Sequence, residues 1–591
     1  MRLHKNLRSF IDTLRKEGDI VEISAPVDPH LELAEIHRRV IAEGGPALLF
    51  TNVKGSRFPV VTNLFGTSRR VDLAFGPRPE EIMKQIVSLT NKLMPPTPKS
   101  LWEERKLLRE LLQTGTKAIP ASRAPALECI QKPPRLTELP AITSWDEDGG
   151  PFITLPLVYT EHPVTKRHNL GMYRLQIYDD QTTGMHIQIH RGGGFHYHEA
   201  EKLNQPLPAR VFIGGPPALI ASAIAPVPEF LPELLLTSLI LGKKLPVVKD
   251  QQGGYPYIAE ADFTLSGIIP PHERRPEGPF GDHYGYYSLV HDFPVFRVDK
   301  VHHRKDAIYP ATIVGKPKQE DYYLGEFLQR LLSPAFPLAL PGVRDLWTYA
   351  ETGFHPLAAA VVRESYSREA LANAFSILGQ GQLTLTKFLI LIDQPTDLGN
   401  FAHLFEQVLE RFDPETDLFV FANTAMDTLD YAGKRLNHGS KAVLLGTGKP
   451  VRQLPEKYQG PELPGIHHIE PYCKGALVLA GKTFEEDPEL GQRLVKQFGD
   501  ELKDWPFLFL VDDIRAAKGQ TPFLWTVFTR FDPAQDIHAR YDVIHHHPRY
   551  QLPILIDARM KPGYPKELFT HPEVDALVNR RWREYFPKGS F

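Results

Sequence analysis

Apolar residues at helical spacing alternate with short apolar runs in the first part of the chain. Leu7, Phe10 and Leu14 fall on one face of a helix that ends before Gly18. The runs "DIVEI", "PALLF" and "PVVTNLFG" predict strands, and "LELAEIHRRVIAEGG" predicts a helix between the first two. We therefore predict an N-terminal α/β domain that, with the proline-rich connection after it, takes up residues 1–125.

The pattern changes to period-two alternation after about Gly150. The stretches "PFITLPLVYTE", "HNLGMYRLQIYD" and "GMHIQIHRGGG" predict short strands of an antiparallel sheet or small barrel. Alternation places Arg174 with Gln176 on one strand face, and His186, Gln188 and His190 on another. One such face is usually solvated, but two in succession favour a wet cavity for a phosphate-bearing or metal-bound ligand. We assign residues 126–320 to this central domain.

The last part of the chain, residues 321–591, contains a repeated pattern. "FLILID", which begins at Phe388, recurs as "FLFLVD" from Phe507, a displacement of 119 residues. "RFDPETD" recurs as "RFDPAQD" with the same displacement. Equal displacement of two separate stretches predicts an internal repeat of a strand-helix-strand unit in an enlarged α/β C-terminal domain.

Composition narrows the function classes. A length of 591 residues indicates several domains. With 71 acidic against 68 basic residues and no Lys/Arg block, the chain lacks the charge pattern of a nucleic-acid binder, so we expect a small-molecule ligand. Two cysteines cannot form a disulfide framework, and the N-terminus is typical of an amphipathic helix and not of a signal peptide, so we expect a cytoplasmic protein. No apolar run approaches the roughly 18 residues of a membrane span, which leaves peripheral membrane association open.

The stretch "RRPEGPFGDHYGYY" places two carboxylates at the ends of a stiff loop. Glu277 and Asp282 flank Gly-Pro-Phe-Gly, in which glycine permits unusual backbone angles and proline restricts them. Such a loop is suited to holding one backbone shape. We expect it to serve a functional site.

Six ordered stretches resemble the UbiD-type decarboxylases, between about Leu7 and Gly448. They are "NLGMYR", "MHIQIHRGGG", "APVPEFLPELLL", "PEGPFGDHYGYY", "FPVFRV" with "DAIYPAT", and "LTKFLILID". The resemblance implies a carboxy-lyase that removes CO₂ from an aromatic or α,β-unsaturated acid with prenylated FMN. It implies a flavin-binding split β-barrel in the central domain. The predicted fold is therefore a multi-domain α/β protein that is α+β as a whole, because the antiparallel central domain lies between two α/β domains. We also expect a homo-oligomer that receives its cofactor from a flavin prenyltransferase.

The resemblance also implies a metal site and a flavin site. Asn169, His186 and Glu233 match divalent metal ligands that hold the flavin phosphate, with Mn²⁺ (or Mg²⁺) and an accompanying K⁺. Their oxygen and nitrogen donors suit these ions. The positions that match flavin contacts are Met172, Tyr173, Arg174, Ile187, Gln188, Arg191, Gly192 and, from the C-terminal domain, Lys387. Pro506 stands at the place of Lys387 in the second repeat, which we therefore predict to be structural.

Three residues are the predicted catalytic set. Arg174 would orient the substrate carboxylate and pair with Glu277, and Asp282 would deliver the proton that replaces CO₂. With Arg174 holding Glu277 ionised, we expect the pKa of Asp282 to be raised in an apolar pocket. The two similar acids would then take different roles.

Two other functions remain open on the sequence. One is a flavin oxidoreductase on a similar split barrel, against which the carboxylate-recognition set argues. The other is a catalytically silent assembly subunit that uses the second repeat as a docking surface. The sequence also leaves the acid open among hydroxybenzoates, a polyprenylated quinone precursor and a naphthoate of menaquinone synthesis.

Overall fold

The computed structural model describes residues 4–92, 97–188, 192–225, 232–250 and 254–587. The chain divides into two compact units. The first unit comprises Met1–Leu331 together with Lys566–Phe591, and the second comprises Leu332–Pro565. No helix in the described part of the chain is both long and apolar enough to cross a membrane.

The first unit begins with a small α/β layer. Its elements are α1 (Leu7–Lys16), β1 (Ile20–Ile23), α2 (Glu32–Ala42), β2 (Ala47–Phe50), β3 (Val60–Thr62), α3 (Ser68–Phe75), α4 (Arg78–Lys92), α5 (Pro98–Glu103), α6 (Arg105–Leu112) and β4 (Thr116–Ala118). Helix α1 starts where the Asn6 side chain accepts a hydrogen bond from the Ser9 N–H at 3.0 Å. Its apolar face is buried as predicted.

The central part of the first unit is rich in strands. Its elements are β5 (Cys129–Gln131), β6 (Phe152–Ile153), β7 (Leu157–Glu161), β8 (His168–Met172), β9 (Leu175–Gln176), β10 (Thr182–Gly184), α7 (Gly192–Lys202), β11 (Leu207–Ile213), α8 (Pro217–Ile224), α9 (Glu233–Leu241), β12 (Leu245–Val248), β13 (Tyr257–Ile258), β14 (Phe263–Ile269), β15 (Arg274–Glu277), β16 (Phe280–Gly281), β17 (Tyr287–Ser288), β18 (His291–His303), β19 (Tyr309–Pro310) and α10 (Glu320–Leu332). These elements confirm the prediction of an antiparallel central sheet.

That sheet has eight strands, six of which run in the order β10-β18-β14-β11-β7-β8, with β5 and β15 also paired to β18. A smaller sheet of order β1-β2-β3-β19 joins the N-terminal layer to the end of the central part. Apolar side chains of both sheets share one core, which includes Leu48, Val60, Val211 and Phe296.

One predicted strand is wrong. The alternation in "HIQIH" predicted a strand through His186 and Gln188, but β10 ends at Gly184, opposite Val295 of β18. Residues 291–294 of β18 pair with β15, and the chain after Gly184 keeps one backbone bond to them, from the Met185 N–H to the Pro294 carbonyl at 2.9 Å. His186 N–H donates to the Arg174 carbonyl at 3.1 Å, which turns this segment toward Arg174.

The second unit confirms the internal repeat. Its elements are α11 (Phe336–Ala339), β20 (Val343–Thr348), β21 (Leu357–Val362), α12 (Glu369–Leu378), β22 (Phe388–Ile392), α13 (Phe401–Arg411), β23 (Leu418–Ala425), β24 (His438–Gly446), β25 (Ile466–Cys473), β26 (Ala476–Gly481), α14 (Leu490–Leu502), β27 (Phe507–Val511), α15 (Gln520–Arg530), α16 (Pro533–Asp536), β28 (Ile537–Ile544) and β29 (His547–Asp557). The two five-stranded sheets have the equivalent orders β20-β21-β22-β24-β23 and β25-β26-β27-β29-β28. Helix α17 (Pro572–Tyr585) returns to the first unit and packs on α2.

The two repeats face each other with equivalent surfaces. The Phe401 N–H at the start of α13 donates to the Gln520 side chain at the start of α15, at 2.9 Å, and these two positions are equivalent in the repeat. Phe405 of α13 packs on Phe507 and Phe509 of β27. One apolar core therefore contains side chains of both copies.

Candidate functional site

Arg174 lies between the two carboxylates that flank the stiff loop. It follows β8, Glu277 ends β15, and Asp282 follows β16. The Arg174 Nε and Nη2 donate to the two carboxylate oxygens of Glu277 at 2.8 and 3.1 Å, and Nη1 donates to Asp282. Nη2 also donates to the Ser288 hydroxyl at 3.0 Å. The structure thus brings the three predicted catalytic residues together, all of them buried.

Aromatic rings complete the surroundings of the guanidinium. The Phe280 ring lies under Arg174 with 4.4 Å between the guanidinium carbon and the ring centroid, and Phe152 lies at 6.0 Å. A planar cation on an aromatic face is stabilised without losing its hydrogen bonds. The loop residue between the two acids therefore also fixes the arginine.

Both acids are held ionised. Burial raises the pKa of Glu277, but Arg174 and His186 outweigh it and lower that pKa to about 2. Burial likewise raises the pKa of Asp282, but Arg174 and His283 outweigh it and bring it well below its usual range. The expected raised pKa of Asp282 is therefore wrong in this structure, because Arg174 contacts both carboxylates and not Glu277 alone.

His283 is a contact that the sequence analysis missed. Its backbone N–H and its ring Nδ1 both donate to Asp282 Oδ1, at 2.7 and 2.5 Å. The signal was present in the sequence, because His283 directly follows Asp282 in the loop motif. Asp282 is thus held by one cation and by two further donors from its neighbour.

His186 joins this cluster. Its Nδ1 donates to Glu277 Oε2 at 3.0 Å, and its Nε2 lies 3.3 Å from the amide nitrogen of Gln188. Because an ionised carboxylate only accepts, Nδ1 carries the proton and Nε2 is the acceptor. Burial, with Arg174 adding to it, lowers the pKa of His186, which favours this neutral form.

A second polar group surrounds Asn169 on β8. Its amide donates to the Tyr173 hydroxyl at 3.2 Å, which also accepts from the Gly193 N–H at 3.1 Å. The next residue along β8, Leu170, donates its N–H to Glu233 at 3.3 Å. Burial raises the pKa of Glu233 to about 7. The structure therefore joins Asn169 to Tyr173 and places the Glu233 carboxylate on the backbone of the residue next to Asn169.

Gly192 lies against this group. A Cβ at Gly192 would stand 2.2 Å from Asn169 Oδ1, so only glycine leaves the amide oxygen its space. In the described residues, no three His, Cys, Asp or Glu side chains are arranged to hold a metal ion. The set of Asn169, His186 and Glu233 contains two such side chains and an amide, and its assignment stays a prediction.

The other predicted flavin contacts are placed as follows. Met172 ends β8 and is half-buried, and Ile187 packs in the core of the first unit. Arg191, like His190, lies outside the described residues. Lys387 is buried inside the second unit, where its Nζ lies 2.8 Å from Asp430 Oδ2. Its role toward a flavin stays a prediction.

Three family models match the chain in order. They are the 3-octaprenyl-4-hydroxybenzoate carboxy-lyase N-terminal domain at residues 11–90, the Rift-related domain of that family at 117–317, and its C-terminal domain at 322–446. A protein of Chlamydia pneumoniae that is named as a subunit of 4-hydroxybenzoate decarboxylase is 49% identical over 98% of both chains. The residues after 446, which include the second repeat, lie beyond the matched family domains.

Solved structures share the fold. Vanillic acid decarboxylase of Sedimentibacter hydroxybenzoicus in its closed form has a TM-score of 0.67 at 24% identity, covering 78% of this chain and 97% of that one. An evolved dimeric form of the UbiD-class enzyme HmfF from Pelotomaculum thermopropionicum, in complex with prFMN, has a TM-score of 0.61 at 23% identity, covering 78% and 98%.

Proposed function

Because the chain belongs to the UbiD family of carboxy-lyases, we propose that it removes CO₂ from an aromatic or α,β-unsaturated acid with the help of prenylated FMN. The observation that carries this proposal is the buried Arg174, bound through two nitrogens to Glu277 and through a third to Asp282. An arginine with one exchangeable carboxylate partner is suited to binding the carboxylate of a substrate.

The arrangement gives Arg174 and Asp282 linked roles. Glu277 holds two donors of Arg174 and keeps the guanidinium in place. A substrate carboxylate would take the Nη1 donor from Asp282. Asp282 would then lose the contact that lowers its pKa most, while it stays buried and keeps the two donors of His283, so its proton affinity would rise at the moment when an acid is needed.

The residues around Asn169 fit the cofactor and its metal. Glu233 is a buried carboxylate with a raised pKa, which is relieved when a cation binds beside it. Because Gly192 has no side chain, the space beside the amide oxygen of Asn169 is left for a ligand. Amide and carboxylate oxygens suit Mn²⁺ or Mg²⁺, and K⁺ as an accompanying ion. When bound, prenylated FMN supplies the electron sink for the charge left by CO₂.

His186 is the proposed nitrogen ligand of the metal. Its Nδ1–H donates to Glu277, the kind of contact that orients histidine ligands in metal sites. The Nε2 lone pair would bind the ion once the Gln188 amide moves aside. His190, which lies four residues further along the chain, is the competing candidate.

The substrate and its setting follow from the same reasoning. The Chlamydia pneumoniae relative carries the name of a 4-hydroxybenzoate decarboxylase, which favours a hydroxybenzoate over the other acids. We propose a cytoplasmic homo-oligomer whose cofactor comes from a flavin prenyltransferase. A prenylated substrate of quinone biosynthesis would add peripheral association with a membrane.

The test is CO₂ release from a panel of acids by the protein reconstituted with prenylated FMN and Mn²⁺. We expect release from a hydroxybenzoate without any nicotinamide. Release that depends on a nicotinamide would indicate an oxidoreductase, and absence of release from every acid together with absence of flavin binding would indicate a silent subunit.

A further inference from the structure

The backbone of the acid loop, Glu277–Asp282, is held from outside by two side chains. Two N–H groups of the loop, those of Gly278 and Gly281, each donate to a different side chain beyond it. Gly278 adopts φ +98°, which a residue with a side chain rarely adopts. The loop thus depends on partners beyond its own sequence for its shape.

Asp148 is the first partner. Its Oδ1 accepts from the Gly281 N–H at 2.8 Å, and its Oδ2 accepts from the N–H groups of Ser144 and Trp145 at 2.8 and 2.9 Å. One carboxylate therefore ties the end of the acid loop next to Asp282 to the turn of Ser144–Gly149. Burial raises its pKa to about 6 in spite of these three donors.

Gln176 is the second partner. Its side-chain oxygen accepts from the Gly278 N–H at 2.9 Å, and its side-chain nitrogen donates to the Gly149 carbonyl at 2.7 Å. The Gly149 N–H in turn donates to the Pro279 carbonyl at 2.8 Å. Gln176 therefore ties the end of the loop next to Glu277 to the same turn.

The turn of Ser144–Gly149 and the acid loop are in close backbone contact. A Cβ on Gly149 would stand 2.2 Å from the Gly278 carbonyl oxygen, and a Cβ on Gly281 would stand 2.0 Å from the Trp145 ring. The Trp145 ring is itself covered by Arg38 at 4.1 Å. Neither the turn nor the loop can shift without the other.

We propose that Asp148 and Gln176 are positioning residues of the acid loop, which keep Glu277 and Asp282 on the two sides of Arg174. This inference rests on the proposed function of that cluster. Both side chains accept from backbone N–H groups of the loop, so both act through the loop backbone. Gln176 is also the polar strand residue to which the proposed decarboxylase chemistry gives no role.

The first test is amide hydrogen exchange of the full chain, read on a peptide that covers residues 277–283. Asp148→Asn keeps the shape of the side chain, but its amide cannot accept on both sides. Gln176→Met removes both bonds. We expect the loop amides to exchange about tenfold faster in each variant. Asp262→Asn is the control, because Asp262 is a buried carboxylate that likewise accepts backbone N–H bonds, from Gly215 and Ile308 at 3.2 Å, away from the loop.

The second test is turnover per bound cofactor, which a loss of stability alone does not change. We expect it to fall by on the order of 10- to 100-fold in Asp148→Asn and Gln176→Met, with KM changed less, and to stay native in Asp262→Asn. Native loop exchange in both variants, or faster exchange with native turnover per bound cofactor, would overturn the positioning role. Native turnover of Arg174→Ala and Asp282→Asn would instead overturn the proposed function, whatever the loop amides do.

Discussion

Arg174 binds Glu277 through two nitrogens, at 2.8 and 3.1 Å, while the carboxylate of Glu277 is completely shielded from solvent. A buried carboxylate without its partner would be costly, so the pair is a fixed support and not an exchangeable contact. The contact from Arg174 to Asp282 is made by Nη1, which is not one of the two nitrogens that bind Glu277. This asymmetry separates the acid that holds the arginine from the acid that can leave it.

The pairing of Glu277 with Arg174 makes the free energy of unfolding depend on pH. Glu277 has a pKa of about 2 against an ordinary value of 4.5, so its contribution is present above about pH 4.5 and is lost as the pH falls toward 2. The loss is on the order of 3 kcal/mol. Glu277→Gln should flatten this part of the curve of unfolding free energy against pH, measured by urea denaturation from pH 2 to pH 6. Glu273→Gln, at a carboxylate outside the cluster, is the control.

The affinity for the metal should depend on pH near neutrality, above the acidic range in which Glu277 titrates. Glu233 has a pKa of about 7, raised by burial, so a proton competes with the ion below that pH. We expect Mn²⁺ affinity to fall as the pH is lowered from 8 to 6, measured by calorimetry. Glu233→Ala should lose metal and cofactor before it loses folding, as judged by elemental analysis and flavin content. Full occupancy in the folded variant would refute the assignment.

The nitrogen ligand can be identified by a paired substitution. If His186 binds the metal, His186→Ala should lower the Mn²⁺ content severalfold, while His190→Ala should leave it unchanged. The two variants are matched because each removes one imidazole. The reverse result would assign the ligand to His190. In that case His186 would serve only to hold Glu277 through its 3.0 Å contact.

The second repeat should be structural. Truncation after Gly446 would expose Phe401 and Phe405, which are buried against the second copy, so we expect aggregation or a changed oligomer in gel filtration with light scattering. A chain that ends at Pro565 keeps both copies and controls for the loss of α17 from the first unit. Arg530→Ala, in the second copy, should keep native turnover per bound cofactor. A soluble truncated chain with its assembly unchanged would contradict the structural role.

Patterns with one strong cause could be predicted from the sequence. The apolar face of α1 and the repeated strands β22 and β27 follow from local periodicity and from equal displacement along the chain. Glu277 and Asp282 could be found because the motif places them at the ends of one loop. Local sequence determines each of these features.

Features that depend on competition between distant segments could not be predicted. The segment of His186 alternates like a strand, but the His186 N–H donates to the distant Arg174 carbonyl and the segment does not continue β10. The pKa of Asp282 depends on the third nitrogen of Arg174, whose direction is set by Glu277 and Ser288. The anchoring of the loop by Asp148 joins segments that lie far apart in the sequence.

The central claim is that Asp282 is the acid, beside the arginine that binds the substrate carboxylate. Its most direct test is the rate at which the product's new C–H position exchanges with solvent deuterium, measured per bound flavin. This exchange needs the side chain that donates the proton, but it needs no carboxylate on the substrate. We predict that Asp282→Asn loses it by at least about a hundredfold, whereas Arg174→Ala loses less. Exchange at the native rate in Asp282→Asn with its flavin bound would contradict the account, because the proton would then come from another group.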